Sequence, residues 1–82
     1  MDKQDLRKEA HNLDVTVWVG KSGLEAVVGE LNDQLANQNL VKAKFLRASL
    51  GGTTVDEAAA DLAERVNAEL IETRGKTAVF HR

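Results

Sequence analysis

The chain has no cysteine, no proline and no tyrosine, and only one tryptophan, two phenylalanines and two histidines in 82 residues. Without cysteine there is no disulfide, no thiolate metal ligand and no thiol nucleophile. His11 and His81 are the only imidazoles, so a multi-histidine metal site is not expected. Neither has an acid and a nucleophile arranged about it in sequence, as a hydrolytic triad requires. No apolar run approaches the roughly 20 residues of a membrane span. The opening residues Met1-Asp2-Lys3-Gln4-Asp5 carry no signal-peptide pattern, so the expected location is cytoplasmic and no membrane partner is expected. No proline-rich or low-complexity tract marks a linker, and residues 1–82 read as a single domain. A domain of this length buries about 60% of the surface its unfolded chain exposes, which leaves no room for two lobes around a substrate cleft. With no carboxylate pair or nucleophile in place, no enzyme activity, metal or cofactor is expected.

What is present is periodic. Residues 2–12 read as a short polar helix with Leu6 and Ala10 as its apolar pair, extended by Leu13. Val15-Thr16-Val17-Trp18-Val19 alternates and is β-branched, which predicts a strand. Residues 24–37 predict a helix on the stripe Leu24, Val27, Val28, Leu31 and Leu35, with Ser22 or Gly23 as its cap. Residues 40–48 predict a second strand, with Val41, Ala43 and Phe45 on one face and Lys42 and Lys44 on the other. Thr54 and Glu57 fit a capping box for a helix that turns Val55, Ala58, Ala59, Leu62, Ala63 and Val66 inward. Residues 70–73 and 77–81 predict a hairpin around Arg74-Gly75-Lys76. The expected fold is therefore an α-β-α-β-α-β-β sandwich of the α/β class. Its mixed four-stranded sheet has parallel pairs from the β-α-β units and an antiparallel terminal hairpin.

Eleven Lys and Arg against thirteen Asp and Glu give a net charge of −2, which by itself argues against a nucleic-acid ligand. The distribution says otherwise. Residues 24–36 carry −3 and residues 55–72 carry −5, so everything else carries +6. The acids belong to two helix backs. The bases fall in the strands, the loops and the first helix. At physiological salt, interactions beyond about 8 Å are screened, so a local basic field attracts phosphate on a protein of negative net charge.

Gly20-Lys21-Ser22-Gly23 joins a strand to a helix N-terminus. There the first N–H groups lack helical partners and the helix dipole favours an anion. Glycine lets another backbone approach, while Lys21 adds a positive charge and Ser22 a hydroxyl. A P-loop is excluded, because Val15 stands where its leading glycine belongs. Gly75-Lys76-Thr77 fails likewise, with Leu70 in that place. The third glycine of a dinucleotide fingerprint is also missing.

Four blocks in order resemble the CRM domain, the YhbY-like RNA-binding family. They are Leu6-Arg7-Lys8-Glu9-Ala10-His11-Asn12-Leu13, Val17-Trp18-Val19-Gly20-Lys21-Ser22-Gly23-Leu24, Leu40-Val41-Lys42-Ala43-Lys44 and Gly75-Lys76-Thr77-Ala78-Val79-Phe80-His81-Arg82. The likeness spans essentially the whole chain. It implies a fold like the C-terminal domain of translation initiation factor three, and RNA binding through the GxxG loop and nearby bases. Single-domain bacterial members are associated with the precursor of the large ribosomal subunit. The chain departs from the family pattern at Asp14-Val15, where a Lys-Pro is usual, at Asn37-Gln38-Asn39, and at His81, where Tyr is usual.

The expected RNA-binding residues are Gly20, Lys21, Ser22, Gly23, Arg7, Lys8, Lys42, Lys44, Arg74 and Lys76, with Arg7 and Lys8 flanking the loop. The expected partner is ribosomal RNA or a precursor of the large subunit, and no DNA is expected. Trp18 reads as packed under the first helix in preference to a base-stacking role. The rival reading is a protein-interaction domain whose acidic helix backs or sheet face dock a protein partner.

Overall fold

The chain forms, in order, α1 (Lys3–Ala10), β1 (Val15–Val19), α2 (Glu25–Asn37), β2 (Leu40–Phe45), α3 (Arg47–Leu50), α4 (Val55–Arg65), β3 (Glu69–Arg74) and β4 (Thr77–His81). This is a computed structural model that describes residues 3–82. Met1, Asp2 (the expected first residue of the opening helix) and the side chain of Lys3 lie outside the described residues. The order agrees with expectation except for the added turn α3.

The four strands make one mixed sheet in the order β1-β2-β4-β3, so the molecule is a small α/β domain. β1 pairs with β2 in parallel, and β4 pairs antiparallel with both β2 and β3. β3 therefore runs in the same direction as β2, but the parallel pair expected of the second β-α-β unit does not form, because β4 lies between them. The apolar pattern explains the insertion. Leu40-Val41 and Ala78-Val79-Phe80 are buried in succession, which suits strands covered on both faces. β3 carries Glu69, Glu72 and Arg74, which suit an edge.

α2 and α4 cover one face. Val27, Leu31 and Leu35 of α2 and Ala58, Ala59, Leu62 and Ala63 of α4 pack on Val17, Val19, Val41, Ala43, Phe45, Ala78 and Phe80. These are the inward stripes that the sequence predicts. On the opposite face, Leu6 and Ala10 of α1 pack on Leu40, Ile71 and Val79, with Leu13 beside them.

Two local features differ from the sequence reading. The strand expected over residues 40–48 stops at Phe45. Phe45 N–H donates to the Lys76 carbonyl at 2.7 Å and Leu46 N–H to that of Val19 at 2.8 Å. Ser49 then donates twice to the Leu46 carbonyl, from N–H at 2.9 Å and from Oγ at 2.6 Å. That side-chain bond competes with a ladder and winds Arg47–Leu50 into one turn, which Gly51 ends at φ +50°. The second difference is the cap of α2. Leu24 holds the N-cap position in a right-handed conformation, with no side-chain cap bond. Ser22 and Gly23 instead belong to a closed turn, in which Gly23 N–H donates to the Gly20 carbonyl at 2.9 Å. The cap of α4 forms as expected, with Thr54 Oγ1 accepting from Glu57 N–H at 3.1 Å. The Glu57 carboxylate meets the Thr53 hydroxyl at 2.7 Å.

Candidate functional site

Three turns converge at one end of the sheet. Because β1 and β2 are parallel and β4 is antiparallel to β2, the ends of β1 and β2 meet the hairpin between β3 and β4. Backbone bonds tie them together: Leu46 to Val19, and Phe45 to Lys76. Leu46 also lies near the glycine turn, its Cδ1 3.8 Å from where a methyl group on Gly20 would stand. This juxtaposition brings Lys21, Arg47, Arg74 and Lys76 to one end of the molecule. Gly23 sits at φ +83°, a conformation that glycine adopts without strain, and it delivers the chain into α2. Leu24 at the N-cap of α2 makes no side-chain cap bond, so it offers no side-chain oxygen to the first N–H groups of that helix. The hairpin closes on two residues, Gly75 and Lys76, with Gly75 at φ +58°. The Thr77 hydroxyl donates to the Arg74 carbonyl at 2.8 Å.

The register aligns a row of side chains on the face that α1 covers only in part. Trp18 is paired with Lys44, Lys44 with Thr77, and Thr77 with Arg74. Directly opposed strand residues share a face, so these four side chains form one line across the sheet. Lys42 lies two positions along β2 on the same face, paired with Val79, at the margin of the α1 cluster. The row contains no acid. Trp18 is 55% exposed and Leu46 41%. The expectation that Trp18 packs beneath the first helix is thus overturned. α1 sits on Leu40, Ile71 and Val79 and does not extend over β1, while Val17 and Val19 take the inward positions of that strand.

Charge partners divide the cations into two groups. Lys8, Lys21, Lys42, Lys44, Arg47, Arg74 and Lys76 have no side-chain hydrogen bond or ion pair among the described residues. Three arginines are engaged in holding the fold. Arg7 Nε donates to the Ile71 carbonyl at 3.5 Å. Arg82 binds the Asn32 side chain and the Val66 carbonyl. Arg65 pairs with Asp61 at 3.0 Å and Glu25 at 3.6 Å, and its guanidinium is held above its ordinary pKa chiefly by the Asp61 hydrogen bond. The acidic exterior of α2 and α4 thus has its one arginine already paired.

Of the sequence-predicted residues, Gly20, Lys21, Ser22, Gly23, Lys44, Arg74 and Lys76 come together, with Lys42 alongside. Arg7 and Lys8 do not flank the glycine turn. Arg7 docks on β3, three strand spacings from β1, roughly 14 Å across the sheet. Lys8 is exposed on α1, whose buried residues face the same strand region. Arg47 joins this cluster from α3, a segment that reads as strand in the sequence. The sequence points Trp18 to packing because an exposed aromatic in an alternating strand carries no sequence signal that separates it from a buried one. His81 lies at the far end of the sheet, where its Nδ1 is 2.9 Å from the Asn39 carbonyl oxygen. His11 meets Glu72 at 3.4 Å. An open depression of about 320 Å³ between Glu9, Asn12, Leu13, Gln38, Asn39 and Leu40 also lies at that far end. Among the described residues, no group of three His, Cys, Asp or Glu is placed to hold a metal, and no helix is long and apolar enough to cross a membrane.

Comparison with known proteins bears on the chain as a whole. Residues 1–82 match the model of the CRS1/YhbY (CRM) domain. The chain is 38% identical over 80 residues to a probable RNA-binding protein from Methanocaldococcus jannaschii, covering 98% of this chain and 60% of that protein. It therefore spans about three fifths of that relative's length. The solution structure of a Staphylococcus aureus protein described as a candidate RNA binder superposes with a TM-score of 0.81 at 31% identity, covering 98% of this chain and 82% of that one.

Proposed function

This chain belongs to the CRS1/YhbY (CRM) domain family, and we propose that it is a non-catalytic RNA-binding module of the cytoplasm that acts on ribosomal RNA during assembly of the large ribosomal subunit. The observation that carries the reading is the cluster of unpaired cations, Lys21, Lys44, Arg47, Arg74 and Lys76, around a turn with glycine at both ends. A phosphodiester backbone approaches the glycine turn and the uncapped start of α2, where N–H groups and dipole favour an anion. The surrounding cations neutralise neighbouring phosphates, and the acidic backs of α2 and α4 repel RNA from the other side. The descriptions of the two similar proteins support RNA as the ligand class. The target is suggested by the resemblance drawn from the sequence, since bacterial members of that family are associated with the precursor of the large ribosomal subunit.

The test is titration of the protein with ribosomal RNA fragments over a range of salt concentrations. Neutralising about three to five phosphates gives a log–log slope of about −2 to −4 on single strands. Lys21→Glu weakens binding without unfolding the domain. A slope near zero, or an unchanged affinity for Lys21→Glu, removes the electrostatic account. Co-sedimentation with the large ribosomal particle that survives RNase favours the rival, a domain whose acidic helix backs or sheet face dock a protein partner.

A further inference from the structure

We propose that the open half of the sheet face is a stacking platform, on which Trp18 takes an unpaired base, so that the ligand is single-stranded and not duplex RNA. The inference rests on the RNA-binding reading above and specifies the form of RNA that the site accepts.

Trp18 is the only tryptophan of the chain and is 55% exposed on a strand whose neighbouring residues are fully buried. Its indole contributes to neither apolar cluster, so the fold does not require it at that position. An exposed large aromatic is informative where polar neighbours give it a chemical context. Here the context is cationic: Lys44 stands directly beside it on β2, and Arg74 ends the same row on β3. Neither cation has a partner among the described residues, and the row holds no carboxylate.

Stacking on an aromatic face accepts any base, because every base has a π-face, and flanking cations track the backbone. An intact A-form duplex cannot use such a platform, since its bases are already stacked on one another and its surface presents ribose and phosphate. The glycine turn follows Trp18 by two residues. A strand whose phosphate reaches the Gly20–Gly23 turn therefore has a neighbouring base within reach of the indole. β1 is an edge strand and α1 stops short of it, so one side of the platform is open for a chain to run across.

The chain has one tryptophan and no tyrosine, so its intrinsic fluorescence reports on this indole alone. The experiment titrates the intact protein with a single-stranded ribosomal RNA oligonucleotide, and separately with the same oligonucleotide annealed to its complement. The expected result is fluorescence quenching by the single strand and affinity for it at least tenfold above that for the duplex. Trp18→Ala lowers single-strand affinity by about tenfold, the effect of losing one stacked base. Trp18→Phe retains most of it, and neither variant shifts the melting temperature appreciably. The quenching readout needs no variant, so it holds even if Trp18→Ala misfolds. If Trp18→Ala binds as the wild type does while Lys44→Glu loses affinity, stacking is overturned and the RNA reading stands. If the wild type binds neither RNA form, the RNA reading itself fails. If Trp18→Ala abolishes an RNase-resistant association with ribosomal particles without changing RNA affinity, the indole docks protein and the platform is refuted.

Discussion

On one face of the sheet, fifteen buried residues among those described, seven of them supplied by α2 and α4, form one core; on the other, five, two of them supplied by α1, form a second. The same strands supply both faces, because successive side chains alternate. The first core is broad enough to define the domain. The second covers only β3, β4 and the start of β2, and leaves β1 and the far half of β2 open. The outer surfaces differ in sign as well. α2 and α4 present Glu25, Glu30, Asp33, Asp56, Glu57, Asp61 and Glu64 to solvent with Arg65 as their one base. The half-open face presents Lys42, Lys44 and Arg74 beside Trp18. The larger core and the unpartnered cations among the described residues thus lie on opposite faces of one sheet. A net charge near zero conceals this division, since salt screens charges on opposite sides of the molecule from each other.

The largest expected difference between the faces is in stability. Leu62→Ala removes a fully buried side chain at the centre of the main core, and should cost about 3–5 kcal/mol, the upper part of the range for such truncations. Leu6→Ala truncates the main anchor of an eight-residue helix at the margin, where the site collapses or α1 loosens, and should cost about 2–3 kcal/mol. Urea unfolding of the two variants checks this. For a domain of this size the first loss is a large share of total stability. Equal costs would mean that α1 is as integral to the fold as α4.

Binding should divide the faces in the reverse sense. Lys44→Glu with Arg74→Glu reverses two unpaired cations in one row and should lower RNA affinity at least tenfold, about 1.4 kcal/mol, while leaving the melting temperature nearly unchanged. Asp33→Lys with Glu64→Lys makes the same size of charge change on the helix-covered face. Affinity there should stay level or rise slightly, through the long-range field alone. Filter binding at fixed ionic strength separates the two pairs. Equal and opposite effects would show that only net charge matters and that the row is not a site.

Much of this arrangement is legible in the chain, and the part that is not has physical causes. The inward stripes of α2 and α4, the Thr54 cap and the Gly75 hairpin are local patterns, and each forms as its periodicity or spacing predicts. The burial of Ala78, Val79 and Phe80 in succession explains why β4 is central, but an apolar run of three does not name its neighbours. Strand order therefore emerges only once β2 and β3 both pair with it. The early end of β2 depends on Phe45 and Leu46 reaching acceptors 31 residues ahead and 27 residues behind. Ser22 loses the cap of α2 to Leu24 because the turn closes on Gly20, a backbone choice that composition does not reveal. Of the candidate site, the glycine turn with Lys21 is legible in the sequence. The other half of that site, Trp18 in line with Lys44 and Arg74, is a product of register, and Arg7 leaves the loop because α1 docks on the opposite edge strand.

The finest test of the comparison lies within the glycine turn, whose two ends are not equivalent. Gly23 holds φ +83°, where a side chain of ordinary handedness is strained, so Gly23→Ala should cost about 1–2 kcal/mol and disturb the entry into α2. Gly20 lies outside that region, and a methyl group there would meet only Leu46 Cδ1 at 3.8 Å, an ordinary contact. Gly20→Ala should therefore change stability by less than about 0.5 kcal/mol. The Gly20 side of the turn faces the exposed Leu46, where the proposed ligand backbone would pass. A methyl group there should weaken RNA binding by less than the double charge reversal does, with the melting temperature unmoved. Thermal denaturation and RNA titration of the two alanine variants measure both quantities. If Gly20→Ala binds as the wild type does, the close approach occurs elsewhere on the turn, and the two glycines serve the path of the chain alone.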